Sequence, residues 1–559
     1  MSINSETSPA QTNTLATEVE GLRRLVEEQR KLIDKLSKQL RNQKERIEQL
    51  EAELRAKKKL KGKPKLSASL LNQPEEKEIK SDKRAGSAKE SKKSSFEIDE
   101  EITIQPNSIP ENAKFNGYRN YDVQELIIKR HNIRFQLAEY ITADGKTVVG
   151  ELPTEYQRRH YGPGLVCYVM YQHYQCRVPQ PLIYEQLREW GIDISTGQVN
   201  RLLLGSLSWS GNPTDKTPLN EEHQIFEQEQ HQVLKAGLET ATYIHTDDTG
   251  ARHKGKNGYC TVIGNEDFAY FHSSDSKSRE NFLEILQAGE ERYVLNEEAK
   301  VYLENYQLPQ KQLSEISYSD EPLATTKEEW HEHLLSQGIK NVKTVRVLTE
   351  AALLGGLNIV GRSEALRIIS DGAGQFNVMQ HGLCWVHIER GLRKLEGDNK
   401  QERENIVEMQ GLLWNYYQEL KQYQQQPSQE ISLSLQSKFD EVFGRCYIRH
   451  GLLNSVLNQI RNHKIELLQV LDCPKFPLHN NAAETDIREY VTRRKISGGT
   501  RSDLGRKARD TFVGLKKTCR KLGISFWNYL TSRLHGNEQV LSLFDVIRAK
   551  AAAKILAPI

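Results

Sequence analysis

Two aspartates and one glutamate, each closing an apolar run or opening a helix, are the side chains of this chain whose types and placement could do chemistry. Thr242 to Phe271 reads as three short strands. The apolar run Tyr243-Ile244 stops at His245-Thr246-Asp247-Asp248, Tyr259 to Ile263 forms a second strand, and Phe268 to Phe271 forms a third after the turn Asn265-Glu266-Asp267. Aspartate is disfavoured inside strands, so a carboxylate at a strand end suggests either a site or a turn cap. Ile368-Ile369-Ser370-Asp371 repeats the pattern, and His479-Asn480-Asn481-Ala482-Ala483-Glu484 places a carboxylate at a helix start. Three carboxylates suit Mg²⁺, which prefers oxygen ligands and keeps waters that phosphate oxygens replace. Two such ions about 4 Å apart stabilise the attacking and leaving oxygens of a phosphodiester displacement without a covalent nucleophile.

Glu484 also has a purely structural explanation. With Asn481 as N-cap it falls at N3, where a capping box prefers glutamate. Asp486 is the competing ligand, but residues two apart on a helix do not share a face, so the two carboxylates do not reach one ion.

The elements that must position these residues sit in a chain of 559 residues, long enough for several domains. Charged residues make up 27% and hydrophobic ones 37%, which suggests solvated helical extensions. The net charge of +3 says little, but its distribution is uneven. Arg55, Lys57, Lys58, Lys59, Lys61, Lys63 and Lys65 form a run that is either a solvated linker or a nucleic-acid contact. The seven cysteines are scattered with no CxxC pair, which argues against disulfides and a four-cysteine zinc site and fits a reducing cytosol. Cys384 and His387 have a zinc-like spacing without a companion pair. A polar N-terminus and the absence of a long apolar run predict a soluble protein with no membrane partner.

Residues 1–55 carry a heptad seam, with Val19, Val26, Ile33, Leu40, Ile47 and Leu54 at one position. Leu15, Leu22, Gln29, Leu36, Gln43 and Leu50 occupy the other. That pattern predicts a parallel coiled coil and a homodimer or higher homo-oligomer. Residues 56–108 read as a flexible basic linker. Residues 109–155 read as a β-hairpin module, from the alternation of Leu126, Ile128, Ile133, Phe135 and Leu137 and the turn Ala143-Asp144-Gly145.

Within 156–235 two helices flank Gly191, and Ser195 caps the second. This is either a helix-turn-helix presenting Gln198, Asn200 and Arg201 to a DNA groove or an ordinary helical hairpin. Residues 236–535 form the carboxylate-bearing core, with a helical insertion at about 290–362 to which no chemistry is assigned, and 536–559 read as a tail. Around the carboxylates stand His387, Arg390, Arg393, Arg488, Arg493, Arg494 and Lys495. Basic residues around a carboxylate site imply a polyanionic substrate.

These motifs together resemble the bacterial transposases of the insertion sequence 66 family, within the DDE class. The matching stretches are HTDDTG at Asp247, SDGAGQFNVMQHGLCWVHIERGLRKL from Ser370, and HNNAAETDIREYVTRRKISGGTRSDLGRKA from His479. Weaker similarity reaches back to about Ile109.

The resemblance implies a multidomain α plus α/β protein: an N-terminal coiled coil, a helix-turn-helix-like region and a ribonuclease-H-like α/β core with helical insertions. It implies that Asp247, Asp371 and Glu484 hold two Mg²⁺ ions, or Mn²⁺ as substitute, with Asp248 a neighbour where relatives carry glutamate. Cleavage of double-stranded DNA at element ends and strand transfer into a target would follow, in a cytoplasmic, nucleoid-associated protein. A DNA-binding regulator derived from such an enzyme and a structural coiled-coil adaptor are the alternatives. Relatives commonly carry paired zinc-binding cysteines before the hairpin, and this chain has none there.

Overall fold

A computed structural model describes residues 97–556, apart from 112, 158, 206–220, 307, 309–315, 363–365, 449 and 538, together with Glu27. The chain divides into two units, Met1–Gln73 and Pro74–Ile559. The expected coiled coil and most of the linker lie outside the described residues.

The hairpin is smaller than the alternation suggests. It consists of β1 (Glu139–Ile141) and β2 (Thr147–Val149), paired antiparallel. Gly145 takes φ +79 in the turn, which a residue without Cβ adopts freely. Leu126, Ile128, Ile133, Phe135 and Leu137 are exposed and lie outside any strand, and among the described residues no second layer covers them.

Helix α1 (Pro163–Met170) starts on a proline, whose missing N–H costs nothing at that position, and runs into a π-helical turn over Tyr171–Gln175. Helix α2 (Gln180–Glu189) ends before Gly191 at φ +73. Helix α3 (Thr196–Leu204) begins on a complete capping box between Ser195 and Gln198 and stops at the left-handed Gly205. Ile183 and Leu187 of α2 and Val199 and Leu203 of α3 are buried in the same core as the central sheet. The boundary expected near residue 235 is therefore not a break in packing.

After α4 (Glu221–Thr240) come β3 (Tyr243–Gly250), β4 (Tyr259–Gly264) and β5 (Ala269–Ser274). Helices α5 (Arg279–Leu286), α6 (Glu297–Glu304), α7 (Lys327–Ser336) and α8 (Val342–Ile359) then precede β6 (Arg367–Ser370) and β7 (Gln380–Leu383). The sheet order is β5-β4-β3-β6-β7, with β5, β4 and β3 antiparallel and β3, β6 and β7 parallel. The insertion packs on this core. Tyr293 stacks on buried Trp330 with ring centroids 5.3 Å apart, and Trp330 Nε1 donates to Thr349 Oγ1 at 2.8 Å.

Helices α9 (Trp385–Arg393), α10 (Lys400–Gln425), α11 (Gln429–Phe443) and α12 (Gly451–Asn462) form a helical lobe. Trp385 anchors it, buried among Tyr416, Phe439 and Phe443. The glutamine-rich stretch between α10 and α11 leaves only three residues outside the helices, and Tyr423 near the end of α10 is buried.

The chain closes with α13 (Asn481–Ser497), α14 (Asp503–Leu522), α15 (Phe526–His535) and α16 (Leu543–Leu556). The stretch expected as a tail is thus a helix, with Leu543 and Ile547 buried and the Leu543 N–H donating to Glu229 Oε1 at 2.9 Å. Among the described residues no helix is long and apolar enough to cross a membrane.

Candidate active site

Strand β3 runs through both aspartates rather than stopping at His245. Successive strand residues point to opposite faces, and directly paired residues share one. Asp247 pairs with Val262, which packs with Ala483, Ile487 and Tyr490 of α13, so Asp247 lies on the α13 face. Asp248 lies on the other face, ion-paired with Lys277 and accepting from Gln375 Nε2 at 2.5 Å.

Asp371 arrives beside Asp247 through the parallel register. Tyr243 pairs with Arg367 and His245 with Ile369, β6 ends at Ser370, and Asp371 directly after it lies close enough to act on the Asp247 carboxyl. Asp371 is exposed and accepts the Ala373 N–H at 3.0 Å, across Gly372 at φ +97.

Glu484 comes from the first turn of α13, but not through a capping box. The N-cap is Asn480, which makes no side-chain cap bond. Asn480 Nδ2 instead donates to the Thr246 carbonyl at 2.7 Å, and its backbone N–H donates to Cys384 Sγ at 3.1 Å. The Trp385 N–H donates to the Leu478 carbonyl at 3.0 Å. One asparagine therefore ties β3, the start of α9 and the start of α13 into the frame that presents Asp247, His387 and Glu484. Cys384 is buried and packs in this frame.

Burial and the nearby Asp371, Asp248 and Glu484 carboxylates push Asp247 up to about 7, against the Asp248 N–H that favours its anion. Glu484 Oε1 accepts from Arg390 Nη1 at 3.0 Å and lies 3.8 Å from His387 Nε2, while Arg488 stands 3.9 Å from Oε2. Burial and Arg390 hold His387 below its ordinary value against the pull of Asp371 and Glu484.

The donors are all oxygens, as a hard cation requires. Asn480 Oδ1 at the start of α13 and His387 Nδ1 are buried with no hydrogen-bond partner among the described residues, as is Thr246 Oγ1, which lies on the opposite face of β3 from Asp247. As the side chains stand, no three His, Cys, Asp or Glu among the described residues are spaced to hold one ion. Glu484 is turned to Arg390.

Asp486 is not in this cluster. It is buried with His245 Nε2 at 3.1 Å, Lys521 Nζ at 2.7 Å and Lys517 Nζ at 3.4 Å. Burial would raise its carboxyl, but His245 and Lys521 outweigh it and hold it at about 2.

The basic candidates separate by exposure. His387 and Arg390 border the carboxylates, and Arg393 lies 3.4 Å from Glu389 one turn back on α9. Arg488 and Lys495 are exposed along α13. Arg493 is only 2% exposed and donates to the His173 and Tyr174 carbonyls, with its guanidinium over the Tyr174 ring, so it is a packing residue rather than a phosphate contact. Arg494 turns to the Gly250 carbonyl and Thr249 Oγ1, tying α13 to β3. On α3, Asn200 and Arg201 are half-buried, and the Gln198 side chain is taken up by the capping box.

The sequence reading missed Asn480 as the knot of the site, although it stands inside the motif that carries Glu484. It also missed His253, a buried histidine in the β3–β4 turn, whose partners Thr500 and Asp503 lie far along the chain.

A family model described as Transposase IS66 family matches residues 366–508, the stretch from β6 to the start of α14. Among curated proteins, an uncharacterized protein y4jO of Sinorhizobium fredii (strain NBRC 101917 / NGR234) is 40% identical over 324 residues. That match covers 57% of this chain and 100% of the relative.

Proposed function

We propose, from the premise that the chain belongs to the IS66 family of transposases, that it cleaves DNA at the ends of an insertion sequence and joins them to target DNA. The proposal assigns that chemistry to Asp247, Asp371 and Glu484 on a ribonuclease-H-like core. The observation that carries it is that β3, the end of β6 and the start of α13 bring Asp247, Asp371 and Glu484 within electrostatic reach of one another, where burial and then the neighbouring carboxylates raise Asp247 to about 7.

Two Mg²⁺ ions, with Mn²⁺ as substitute, would supply charge for both the attacking and the leaving oxygen. The protein's own part is to hold Asp247 on β3 and Asp371 at the end of the parallel strand β6, to deliver Glu484 on α13, and to keep Glu484 on Arg390 until it is needed. Arg390 and His387 then face the phosphate backbone. A helix-turn-helix role for α2 and α3 and homo-oligomerisation through 1–55 belong to the same proposal.

The experiment is incubation with element-end duplex and Mg²⁺ or EDTA. Nicked ends with Mg²⁺ alone support the assignment. Tight binding without nicking would favour a DNA-binding regulator instead.

Glu484 and Asp486 separate the metal role from the structural one. Glu484→Gln loses one partly buried ion pair to Arg390 and no cap, and its amide oxygen still accepts from Arg390, so it is expected to melt within about 1 kcal/mol of wild type while losing cleavage. Asp486→Asn leaves three nitrogens facing a neutral amide in a buried pocket, so it is expected to lose about 3 kcal/mol. Thermal melts and nicking on both variants check this. Normal cleavage by Glu484→Gln would reassign the third ligand.

A further inference from the structure

The turn between β3 and β4 and the loop between α13 and α14 lock into one body. The Lys254 N–H donates to the Thr500 carbonyl at 2.8 Å and the Thr500 N–H to the Arg252 carbonyl at 3.0 Å. His253 is buried between the loops, with Nδ1 2.8 Å from Thr500 Oγ1 and Nε2 2.7 Å from Asp503 Oδ1. A Cβ at Gly499 would stand 2.5 Å from the Arg252 carbonyl oxygen, so the loops approach as closely as glycine permits. Arg252, Lys256 and Arg501 are exposed on this body. Asp503, the acid between the loops, is already engaged by His253 and by Lys254 at 2.9 Å.

The body is rigidly connected to the carboxylates on both sides. Arg252 lies five steps along the chain from Asp247, through the end of β3 and the two residues after it, at most roughly 17 Å at about 3.4 Å each. Thirteen helical residues separate Glu484 from Ser497, about 20 Å at 1.5 Å each. Along that path the exposed Arg488 and Lys495 lie seven apart, on one face of α13. A solvated hairpin would not need its one histidine buried as a peg between two distant loops.

We propose that Arg252, Lys256 and Arg501 form a second docking surface for the sugar-phosphate backbone of duplex DNA, roughly six nucleotides from the reacting phosphate at about 3.4 Å each. Arg488 and Lys495 form the track between the two. The contacts are to phosphate, so they fix the register of the duplex without reading its sequence. This inference rests on the cleavage function proposed above.

The test uses the full chain with Arg252→Gln, Lys256→Gln and Arg501→Gln combined, and end-containing duplex in EDTA across a salt series. Three lost phosphate contacts lower the slope of log K against log salt by about 2.7, with binding at least tenfold weaker and the thermal melt unchanged. Hydroxyl-radical footprints lose protection about six nucleotides from the element terminus and keep it at the terminus. Duplexes shortened on the element side or on the flanking side show which side the surface holds, since the variant's defect disappears when that side is removed. An unchanged slope and footprint, with wild type binding normally, overturn this inference alone. Wild type that binds no end duplex overturns the proposed function and this surface with it.

Discussion

Asp247→Asn is expected to abolish strand cleavage and, in the same protein, to raise the melting temperature of the metal-free chain above pH 7. The two effects have one cause. Burial and the Asp371, Asp248 and Glu484 carboxylates move Asp247 from 3.8 to about 7, so the folded chain holds a proton that the unfolded chain has released. Wild-type stability therefore falls as pH rises from about 4 to 7, and the penalty is complete above that. Asparagine keeps an oxygen for the Asp248 N–H, which Asp247 Oδ1 accepts at 2.7 Å, and removes the charge. One pH unit corresponds to about 1.4 kcal/mol, and for a half-buried group a gain of roughly 1–2 kcal/mol is expected. Loss of a ligand to the catalytic cations removes several kcal/mol of transition-state stabilisation, at least about 10³-fold in rate. Mg²⁺ should raise the melting temperature of wild type by mass action and leave the variant's unmoved. Melts at pH 5 and pH 8, with and without Mg²⁺, check this alongside a nicking assay. A variant that nicks DNA, or a wild type indifferent to both pH and Mg²⁺, would remove Asp247 from the site.

The elements that carry the candidate carboxylates were more legible than the frame that joins them. The β3, β4, β5 meander, the strand before Asp371 and the helix that opens before Glu484 follow from apolar runs and local turn signals, although β3 runs on past Asp247 to Gly250 instead of ending there. The capping box of α3 was readable for the same reason, since Ser195 and Gln198 are three residues apart. What failed was everything decided by a distant partner. Arg493 looks like part of a basic run, and only the packing of α13 on the π-helical turn shows that its guanidinium is buried over Tyr174. Asn481 looks like the N-cap, yet Asn480 takes that place because its side chain is drawn to Thr246, far earlier in the chain. The stretch after residue 536 has large apolar side chains such as Leu543 and Ile547, but that they are buried is decided by packing against α4, about three hundred residues earlier, which no local pattern reveals.

Glu489→Ala is expected to be among the most damaging single substitutions for stability, although Glu489 lies five residues beyond Glu484 and touches no candidate ligand. Arg177 donates to it through Nε at 2.9 Å and Nη2 at 2.6 Å, and Lys516 Nζ stands 2.5 Å from Oε1. Burial would raise the Glu489 carboxyl, but Arg177 and Lys516 outweigh it and hold it at about 2. Burial also lowers Lys516 to about 8 despite that pairing, so the ammonium is tolerated only with Glu489 in place. Removing one member of a buried pair leaves the others uncompensated, at a cost of about 3–5 kcal/mol. Arg177 has φ +63, a left-handed conformation that costs about 1–2 kcal/mol for a residue with Cβ, and its bidentate grip on Glu489 helps to hold it there. The network joins the segment between α1 and α2 to the helix that carries Glu484, so its loss loosens the candidate DNA-binding helices from the site. Because the folded pKa is depressed, the Glu489 contribution is present above about pH 4.5 and is lost as pH falls towards 2. Glu489→Leu combined with Lys516→Met replaces the Glu489–Lys516 pair by apolar volume and is expected to recover most of the loss. Urea melts of the single and double variants at pH 7 and pH 3 decide it. A Glu489→Ala variant within 1 kcal/mol of wild type at pH 7, or a double variant no better than the single, would mean that this network contributes nothing to holding α13.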